Sequence, residues 1–389
     1  MSDRDSNPDW MDQNHLCYLY TIGQGARKVA IPSTQAKKIH AMTPAEQFHA
    51  TLARAPFTAL APMQDVTDLP VWQLMARHGG PDLYFTEYFR VREGSRLEKE
   101  ILKSITHNST GKPAIAQMIG NHIPSLVRPA KELQQHAVAG IDLNLGCPAP
   151  VVYKKCAGGG LLRDPNRVDR ILGALRETVE IPLTVKTRIG FDDPAVFNEL
   201  LPIFARHQID LLTVHGRTVH EGYRSAVHYD YITRAVDSLP CPVLANGNIY
   251  SANKAQAVLE DTGAAGLMIG RGGIRNPWLF HQIRQAQNGE TPFVPTGHDV
   301  LAYLKELFEA IRLPGLKERP HVRKMKKYFN YIGIGIEPTG DFLHRIRRAA
   351  TATECFDICS EFLDHDRPMP LEPFDLALKP RDVLAGQHR

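Results

Sequence analysis

Eight short apolar runs alternate with longer amphipathic stretches between Phe57 and Gln287, and this alternation constrains the fold more than any other feature. Each apolar run has the length of a buried strand, whereas the stretches between them carry apolar residues at helical spacing. Alternation of strand and helix, with eight strands over about 230 residues, is typical of a (β/α)8 TIM barrel. The predicted strands are Thr58–Ala61, Leu83–Thr86, Ala114–Met118, Gly140–Leu143, Leu183–Thr187, Leu211–Val214, Val243–Ala245 and Gly266–Ile269.

A doubly wound open sheet would alternate in the same way, but it usually has fewer strands and a glycine-rich turn after the first strand. Here that turn reads Ala61-Pro62-Met63-Gln64-Asp65 and contains no glycine motif. We therefore predict the α/β barrel. The predicted helices that follow its strands are Val71–His78, Ser125–Ala137, Arg167–Val179, Ala195–His207, Tyr229–Asp237, Ser251–Glu260 and Pro277–Gln287.

The segment before the first predicted strand is polar and shows no sustained periodicity. It contains one short helical pattern, Pro44–Leu52, with Thr43 at the N-cap and Glu46 placed to complete a capping box. We interpret residues 1–56 as an N-terminal extension and assign it no function.

The pattern changes again after Gln287, where a linker rich in glycine and proline leads to helical runs with no strand between them. This arrangement indicates a small all-helical C-terminal domain. Its predicted helices are Val300–Arg312, Val322–Tyr331, Asp341–Ala349 and Thr353–Leu363. The predicted division is an extension (1–56), a barrel (57–290), a helical domain (291–365) and a loose, proline-rich tail (366–389).

The composition is that of a soluble globular protein, with 43% hydrophobic and 23% charged residues. No apolar run approaches the length of a membrane span, and Met1–Asn14 lacks the apolar core of a signal peptide. Six cysteines in 389 residues do not form a disulfide framework, which favours a reducing, cytoplasmic location. Cys355 and Cys359 would share a helix face, but two thiols make a poor metal site, so we expect buried core cysteines and no metal. The oligomeric state cannot be read from the sequence.

Positive charge is concentrated in one segment of the chain. Between Arg312 and Arg348 there are ten lysines and arginines against three acidic residues, although the whole chain carries only +4. A charge run alone is more often a solvated helix surface than a binding site. A basic segment beside a near-neutral body nevertheless favours a polyanion partner, with nucleic acid the leading candidate.

Cys147 follows the fourth predicted strand, in the sequence Asn144-Leu145-Gly146-Cys147-Pro148. Gly146 and Pro148 would hold the thiol in a turn at the carboxyl end of the strand, where barrels carry their catalytic groups. There a thiol could donate a proton or attack an electrophile. The run Gly158-Gly159-Gly160 would let a backbone pass close to something flat or charged. A lone cysteine is more often structural, so the neighbouring strand ends decide between the two interpretations.

Residues that follow the other strands would share the same rim. The last two rim loops combine glycines with Arg271, which is a suitable arrangement for a phosphate. Gln117, Lys186 and His215 could hydrogen-bond the edge of a flat heterocycle, and a lysine would stabilise negative charge on its reduced form. One phosphate and one aromatic ring suit FMN (flavin mononucleotide). Each side chain alone could equally be structural, but polar or glycine-rich signals at seven rim positions favour a site.

Several of these blocks together resemble the tRNA-dihydrouridine synthases. The resemblance covers about Leu60 to Phe280 and weakens toward Leu363. The Asn-x-Gly-Cys-Pro block with its trailing glycines is highly specific, and the order of the blocks is more so. The matching blocks are Ala61-Pro62-Met63, Val66-Thr67-Asp68, Gln117-Met118-Ile119-Gly120, Asn144-Leu145-Gly146-Cys147-Pro148, Val185-Lys186-Thr187-Arg188-Ile189-Gly190, His215-Gly216-Arg217-Thr218, Asn246-Gly247-Asn248-Ile249 and Gly270-Arg271-Gly272.

The resemblance implies an FMN-binding barrel, a helical domain that binds tRNA, and reduction of the C5–C6 bond of particular uridines with NADPH or NADH. It implies that Cys147 is the proton donor and that Asn144 and Arg217 lie near the uracil. The implied flavin contacts are Pro62, Met63, Gln64, Gln117, Lys186, His215, Asn246, Gly247, Asn248, Gly270 and Arg271. The N-terminal extension is not a usual feature of the family.

The basic helical segment is the predicted RNA-binding surface, because RNA must be held by its backbone while one base leaves its stack. Tyr328 and Phe329 lie beside these cations, and core packing is the better expectation for their rings. The predicted RNA-binding residues are Lys324, Lys326, Lys327, Arg345, Arg347 and Arg348.

Two rival functions remain open at this point. An FMN barrel that acts on a free pyrimidine, similar to dihydroorotate dehydrogenase, would share the rim residues but would need no basic appendage. An RNA-binding protein that merely retains a barrel would bind RNA and carry no flavin. Neither the modified uridine nor the choice between NADPH and NADH can be read from the sequence.

Overall fold

The computed structural model describes residues 42–223 and 225–374, so the predictions for residues 1–41 and 375–389 lie outside the described part of the chain. The strands are β1 (Phe57–Leu60), β2 (Leu83–Phe85), β3 (Phe89–Arg90), β4 (Ala114–Ile119), β5 (Gly140–Leu145), β6 (Leu183–Arg188), β7 (Leu211–His215), β8 (Val243–Asn246) and β9 (Gly266–Ile269). The helices are α1 (Pro44–Leu52), α2 (Leu69–Arg77), α3 (Lys99–Thr106), α4 (Ile123–Leu133), α5 (Pro150–Tyr153), α6 (Pro165–Thr178), α7 (Phe197–Arg206), α8 (Tyr229–Ser238), α9 (Ala252–Thr262), α10 (Arg271–Arg275), α11 (Leu279–Gln287), α12 (Gly297–Ala310), α13 (Glu318–Ile332), α14 (Asp341–Ile346) and α15 (Ala352–Leu363).

Eight parallel strands close into a barrel. The order runs β2-β1-β9-β8-β7-β6-β5-β4, and β2 also pairs with β4, which joins the two edges. The two-residue β3 only extends the rim beside the end of β4. The predicted (β/α)8 fold is therefore confirmed, with all eight predicted strands in place. Of the elements that were not predicted, β3, α5 and α10 are too short to produce a periodic pattern. Helix α3 was also not predicted, although its buried residues Ile101, Ser104 and Ile105 follow helical spacing.

The side chains inside the barrel change from apolar to polar along the strands. Near the amino ends, Ala59, Ile115 and Leu244 belong to an apolar cluster that lies apart from the larger core between strands and helices. Two residues further along their strands, the same inward register carries Gln117 and Asn246. Since the barrel is apolar at one end and polar at the other, its chemistry is confined to the carboxyl ends of the strands.

Helix α1 supplies part of this inner cluster. Phe48 is fully buried against the apolar end of the barrel, and Leu52 packs beside it. The helix begins with the predicted capping box, because Thr43 accepts a hydrogen bond from the Glu46 amide while the Glu46 carboxylate accepts one from the Thr43 amide. The predicted Pro44–Leu52 helix is thus confirmed, and it closes the end of the barrel opposite the polar residues.

Helices α12 to α15 pack against the barrel on the side of β1 and β9. The Tyr328 hydroxyl donates to the Val66 carbonyl at 3.0 Å, in the loop after β1. The Arg275 side chain, from α10, donates to the Tyr331 carbonyl at 3.0 Å. Tyr328 and Phe329 are fully buried, as expected for core residues. The helical segment is therefore anchored beside the polar end of the barrel.

The segment after α15 is not loose over residues 366–374. The Met369 amide donates to the Pro295 carbonyl at 2.7 Å, Phe374 donates to the Ile334 carbonyl at 2.9 Å, and Leu371 is fully buried. Proline-rich composition misled the sequence interpretation, because a chain without helix or strand can still bury apolar side chains against helices. The division of the chain into four domains stays a prediction.

Two absences hold within the described residues. No helix there is long and apolar enough to cross a membrane. No group of three or more histidine, cysteine or acidic side chains is arranged to hold a metal ion in that same part of the chain. Cys355 and Cys359 are fully buried between helices, as predicted for core cysteines.

Candidate active site

The loop after β5 fixes Cys147 at the mouth of the barrel. The Asn144 side-chain oxygen accepts hydrogen bonds from the backbone amides of Gly146, at 3.0 Å, and Cys147, at 2.9 Å. These bonds turn the chain tightly as the strand ends, and they leave the thiol only partly buried. Cys147 therefore lies in the loop at the carboxyl end of β5, as the sequence predicts, and its catalytic role stays a prediction.

A buried hydrogen-bond network supports this loop from below. Asn144 donates to the Gln117 side-chain oxygen at 2.8 Å, and Gln117 donates to Asp142 at 2.7 Å. Thr184 donates to the other Asp142 oxygen at 2.6 Å. Burial raises the pKa of Asp142 to about 6, while both hydrogen bonds favour the carboxylate. The network joins β4, β5 and β6, so the position of Cys147 depends on three strands.

The three glycines that follow are packed against the protein itself. A side chain at Gly158 would meet Cys147 and Ile119, and one at Gly159 would meet the Cys147 carbonyl oxygen at 2.9 Å. The Gly159 amide donates to that same carbonyl at 3.2 Å. The close approach predicted for these glycines is thus toward the Cys147 loop, whose shape they support, and the glycines themselves are buried.

The environment of Cys147 favours the protonated thiol. Burial raises its pKa, and this effect outweighs the opposing influence of hydrogen bonds from the Ala149 backbone amide and from Tyr88 and of the charges of Arg188 and Lys186. A neutral thiol that is held in place and partly exposed can donate a proton. The Tyr88 hydroxyl is correspondingly hard to ionise, because burial raises its pKa to about 12.

Cations line the mouth on β6 and β7, the strands that follow β5 around the barrel. Lys186 donates to the Asn246 side-chain oxygen at 3.3 Å, and burial together with Arg188 lowers the pKa of Lys186 to about 8. Arg217 donates to the ring nitrogen Nε2 of His215 at 3.2 Å. Since an arginine can only donate, His215 accepts through Nε2 and carries its proton on Nδ1. Burial and the surrounding cations hold the pKa of His215 well below its usual range, so this ring is neutral.

Two arginines in this group also tie the rim loops together. Arg188 donates to the carbonyls of Gly146, at 3.0 Å, and Thr218, at 2.8 Å. Arg217 donates through two nitrogens to the Ser225 carbonyl. Both guanidinium groups are almost fully buried. Within the described residues neither has an acidic partner at ion-pair distance, so an excess of positive charge remains at this side of the mouth.

The remaining predicted cofactor residues lie in the loops after β1, β8 and β9. Pro62, Met63 and Gln64 are partly buried at the rim, and the buried Gln64 side-chain oxygen has no hydrogen-bond partner among the described residues. A side chain at Gly270 would lie 3.3 Å from the Met63 sulfur. These two loops therefore face each other across a narrow space.

The loop after β8 has an unusual backbone. Gly247 and Asn248 both have positive φ, at 133° and 49°. Arg271 donates to the Asn248 side chain at 3.4 Å and lies over the Tyr223 ring, 4.5 Å from its centroid. The loop thus turns toward Arg271 at the start of α10.

These residues fit an anionic, flat cofactor such as FMN. Positive charge without acidic partners would complement a phosphate or an anionic ring. The unpaired Gln64 oxygen would accept a hydrogen bond from a ring N–H. Gln117 is the exception, because it is fully buried and both ends of its amide already bond to Asn144 and Asp142. Its predicted flavin contact stays a prediction, and the structure gives it a supporting position.

The predicted RNA-binding residues differ in how far their side chains are engaged by other groups of the protein. Lys324 and Arg345 form ion pairs within the protein, with Asp68 at 3.3 Å and with Glu361. Lys326 donates to the Arg347 carbonyl at 2.8 Å, and Arg348 donates to the His344 carbonyl at 2.7 Å. Lys327 forms a longer ion pair, with its nitrogen 3.8 Å from an Asp65 oxygen, and its side chain is exposed, as is that of Arg348. The side chain of Arg347 donates to Asn330 at 2.9 Å.

Sequence reasoning missed the contributions of Tyr88, Asp142 and Arg188. Arg188 was recognised only as a strand-end residue, although its position two residues after Lys186 places both on the inward register of β6. Asp142 precedes Asn144 by the same interval, so alternation within the strand could have revealed it. Tyr88 carries no comparable signal, because it follows β2 in a short connection and meets Cys147 only through the closure of the barrel.

Comparison with known proteins agrees with this geometry. A sequence model of the family described as "Dihydrouridine synthase (Dus)" matches residues 59–360. The chain is 30% identical over 315 residues to the tRNA-dihydrouridine(16) synthase of Neisseria meningitidis serogroup A, covering 78% of this chain and 93% of that protein. It is 31% identical over 306 residues to the tRNA-dihydrouridine(16) synthase of Shewanella oneidensis, covering 76% and 94%. It is 37% identical over 223 residues to tRNA-dihydrouridine synthase B of Pasteurella multocida, covering 57% and 67%.

The match spans the whole barrel and most of the helical segment, and it includes both the Cys147 loop and the cation-lined strand ends. The chain therefore belongs to the dihydrouridine synthase family.

Proposed function

We propose that this protein is a flavin-dependent tRNA-dihydrouridine synthase that reduces the C5–C6 double bond of a uridine with NADPH or NADH. The observation that carries the proposal is the Cys147 thiol, held at the barrel mouth by a network that joins three strands, beside cations of β6 and β7 that form no ion pair among the described residues. Family membership and the names of the relatives support the same activity.

FMN would be held by the rim residues named above, and when bound it would supply the hydride that adds to C6 of the uracil. Cys147 would donate its proton to C5, which breaks the S–H bond and leaves a thiolate that water can reprotonate. The hydrogen bond from Tyr88 and the charges of Arg188 and Lys186 all stabilise that thiolate. The acid is therefore neutral at rest and is supported once it has given up its proton.

The cations at the mouth, Lys186, Arg188 and Arg217, form what we call the cation wall. They would bind negative charge on the cofactor and on the reacting base. Lys186 and Arg217 are the two groups best placed for this role, because their neighbours are carbonyl or amide oxygens and an imidazole rather than carboxylates. Pre-oriented donors in a closed site are each worth roughly 3–4 kcal/mol of barrier height. Neutral His215 would contribute its Nδ1–H as a donor without adding charge.

The helical segment would bind the RNA backbone through an exposed stripe on α13. Arg319, Arg323 and Lys327 are spaced four residues apart, so they share one face of the helix, and all three are exposed. Arg319 and Arg323 form no ion pair among the described residues, whereas Lys324 and Arg345 are engaged within the protein, so we place the centre of the RNA-binding surface on this stripe. Phosphate contacts of this kind supply sequence-independent affinity.

We take position 16 as the expected target. The two relatives named for uridine 16 are each covered over more than nine tenths of their length, whereas synthase B of Pasteurella multocida is covered over only 67%. Agreement over the full length includes the helical region, which would orient the RNA.

The test compares tRNA from cells with and without the gene by mass spectrometry. We expect one uridine, at position 16, to lose two mass units in the deletion strain and to regain them when the purified protein, flavin and NADPH are added. Identical nucleotide masses in the tRNA of the two strains would exclude the activity. A mass difference at another uridine would exclude only the assignment to position 16.

The rival function is reduction of a free pyrimidine by the same barrel. The exposed α13 stripe argues against it, because a small substrate needs no basic surface outside the mouth. Turnover of free uracil at a rate that tRNA does not exceed would favour the rival.

A further inference from the structure

A second basic surface lies on the barrel itself, across the mouth from the helical segment. It consists of Arg92 and Arg96, in the loop after β3, and Lys154 and Lys155, in the loop after β5. All four side chains are exposed. We call this set the rim surface.

Backbone contacts join the loops of the rim surface into one unit. The Val91 amide donates to the Ile119 carbonyl at 2.9 Å, which seats the loop after β3 on the end of β4. The Asn121 side chain donates to the Lys155 carbonyl at 2.6 Å, and Arg167 donates to the Asn121 carbonyl at 2.8 Å. The four cations are therefore carried on connected loops beside Cys147 rather than on independent segments.

The charge of the rim surface is not neutralised within the protein. Across residues 42–223 and 225–374, no acidic side chain lies at ion-pair distance from any of the four. Some other exposed cations differ in this respect, since Lys103 pairs with Glu100 and Arg128 pairs with Glu132. Four unpaired cations at the edge of an active site present a field that attracts a polyanion.

The position of the rim surface relative to α13 suggests its partner. The helical segment contacts the loop after β1 and α10, which follows β9. Around the closed barrel, β5 lies three strands from β1 and four from β9. The α13 stripe and the rim surface thus lie on different sides of the opening, with Cys147 and the cation wall between them.

We propose that the rim surface binds the RNA backbone on the far side of the reactive base, so that the RNA is held at two places and spans the mouth. The inference rests on the proposed function, because it takes the RNA substrate as its partner. Two separate sites of backbone contact would hold the RNA on both sides of the base that leaves its stack. Contact with α13 alone would hold it on one side only. The alternative ligand is the dinucleotide reductant, but four exposed cations spread over two loops suit an extended RNA backbone better than a small molecule.

The experiment compares the double variant Arg92→Glu/Lys154→Glu with the control Lys103→Glu/Lys131→Glu. The control makes the same change of charge in the last turns of α3 and α4, which lie toward the opposite end of the barrel. Affinity for unmodified tRNA is measured over a series of salt concentrations. We expect the rim variant to bind tRNA at least about tenfold more weakly at low salt. The slope of log affinity against log salt concentration should become shallower by about one to two, because fewer counterions are released. The control should bind like the wild type.

Two further measurements make the outcome decisive. Flavin reduction by NADPH should keep its KM in the rim variant, and Arg319→Glu/Arg323→Glu should weaken RNA binding independently. If the α13 variant weakens binding and the rim variant does not, the rim proposal is wrong while the proposed function stands. If the NADPH KM rises and tRNA affinity is unchanged, the surface binds the dinucleotide and the proposal is also wrong. If the wild-type protein binds no tRNA, the proposed function itself fails.

Discussion

The two walls of the barrel mouth differ in how their polar and charged groups are paired. On the Cys147 wall, Asn144, Gln117 and Asp142 bond to one another and to the backbone, so the polar groups are paired internally. On the adjoining wall, formed by β6 to β8, Lys186 and Arg217 hydrogen-bond to oxygen dipoles and a neutral imidazole. The first wall is complete without a ligand, whereas the cations of the second form no ion pair within the described residues, and of the carboxylates only Asp142 and Glu221 act on them through space.

This difference separates positioning from binding. A closed network holds one geometry, because each buried group would lose a partner if it moved. A wall of unpaired cations costs stability in the free protein and is stabilised by a bound anion. Substitutions on the two walls should therefore have opposite effects on the stability of the flavin-free protein, and the predictions below test that contrast.

The largest effect is expected for Cys147→Ala. Removing a general acid should lower dihydrouridine formation by roughly 100- to 10,000-fold. The protein should still fold and bind flavin, because the loop is held through the backbone amide of residue 147 and not through its thiol. Dihydrouridine is measured by mass spectrometry of treated tRNA. The control is Cys156→Ala, an exposed cysteine nearby, and a Cys147→Ala protein with near wild-type turnover would remove the thiol from the chemistry.

The contrast between the walls is sharpest at Lys186→Met. Loss of a charge-assisted contact should weaken flavin retention by roughly 10- to 100-fold, as read from the flavin absorbance that remains after dialysis. In the flavin-free protein the same change should raise the melting temperature at pH 7. The matched control is Lys131→Met, on the outer surface of α4, which should change neither quantity.

The rise in melting temperature expected for Lys186→Met depends on pH, because it follows from the pKa of Lys186. Burial lowers it to about 8 in the folded protein, whereas an unfolded lysine titrates at about 10.4. Below pH 8 the charged Lys186 side chain therefore lowers the stability of the folded state to its full extent. This destabilisation disappears as the pH rises from about 8 toward the pKa of the unfolded lysine. The stability gain of Lys186→Met should shrink over the same window. A melting temperature that falls at pH 7 would show that Lys186 is satisfied internally.

Asn144→Ala tests the closed wall and should act in the opposite direction. It removes the acceptor for two backbone amides and the donor to Gln117, which should lower the free energy of unfolding by about 1–3 kcal/mol. Urea denaturation of the flavin-free protein measures this loss. Asn253→Ala, an exposed position in α9, is the control. Unchanged stability would mean that the loop does not depend on this network.

The smallest effect is expected for Tyr88→Phe. Without its hydroxyl the Cys147 thiolate loses a hydrogen bond, so the pKa of the thiol should rise further. Alkylation of Cys147 at a fixed pH should slow by a few-fold, and turnover should fall by a similar factor. Tyr231→Phe, on α8, removes a hydroxyl far from the thiol and should leave both rates unchanged. Faster alkylation in Tyr88→Phe would contradict the proposed contact.

The sequence predicted the barrel and the rim positions well because both depend on short-range patterns. Strand length and the identity of the residue after each strand are local properties, and barrel closure then brings Cys147, Lys186 and His215 to one mouth. The individual fates of charged side chains were harder to predict. Lys324 pairs with Asp68, which is 256 residues away in the chain, and no local pattern contains that information.

The amino-acid sequence by itself determined the alternation of strand and helix, the capping box of α1 and the thiol at the end of β5, because each arises within a few consecutive residues. The tertiary structure alone decided which cations are free: Lys324 and Arg345 are paired, whereas Arg323 and the rim surface are open. It also decided that Tyr88 meets Cys147 and that Arg188 joins the loops after β5 and β7. The physical reason is that a hydrogen bond or ion pair requires two groups at contact distance, and across different strands only the closed barrel brings them there.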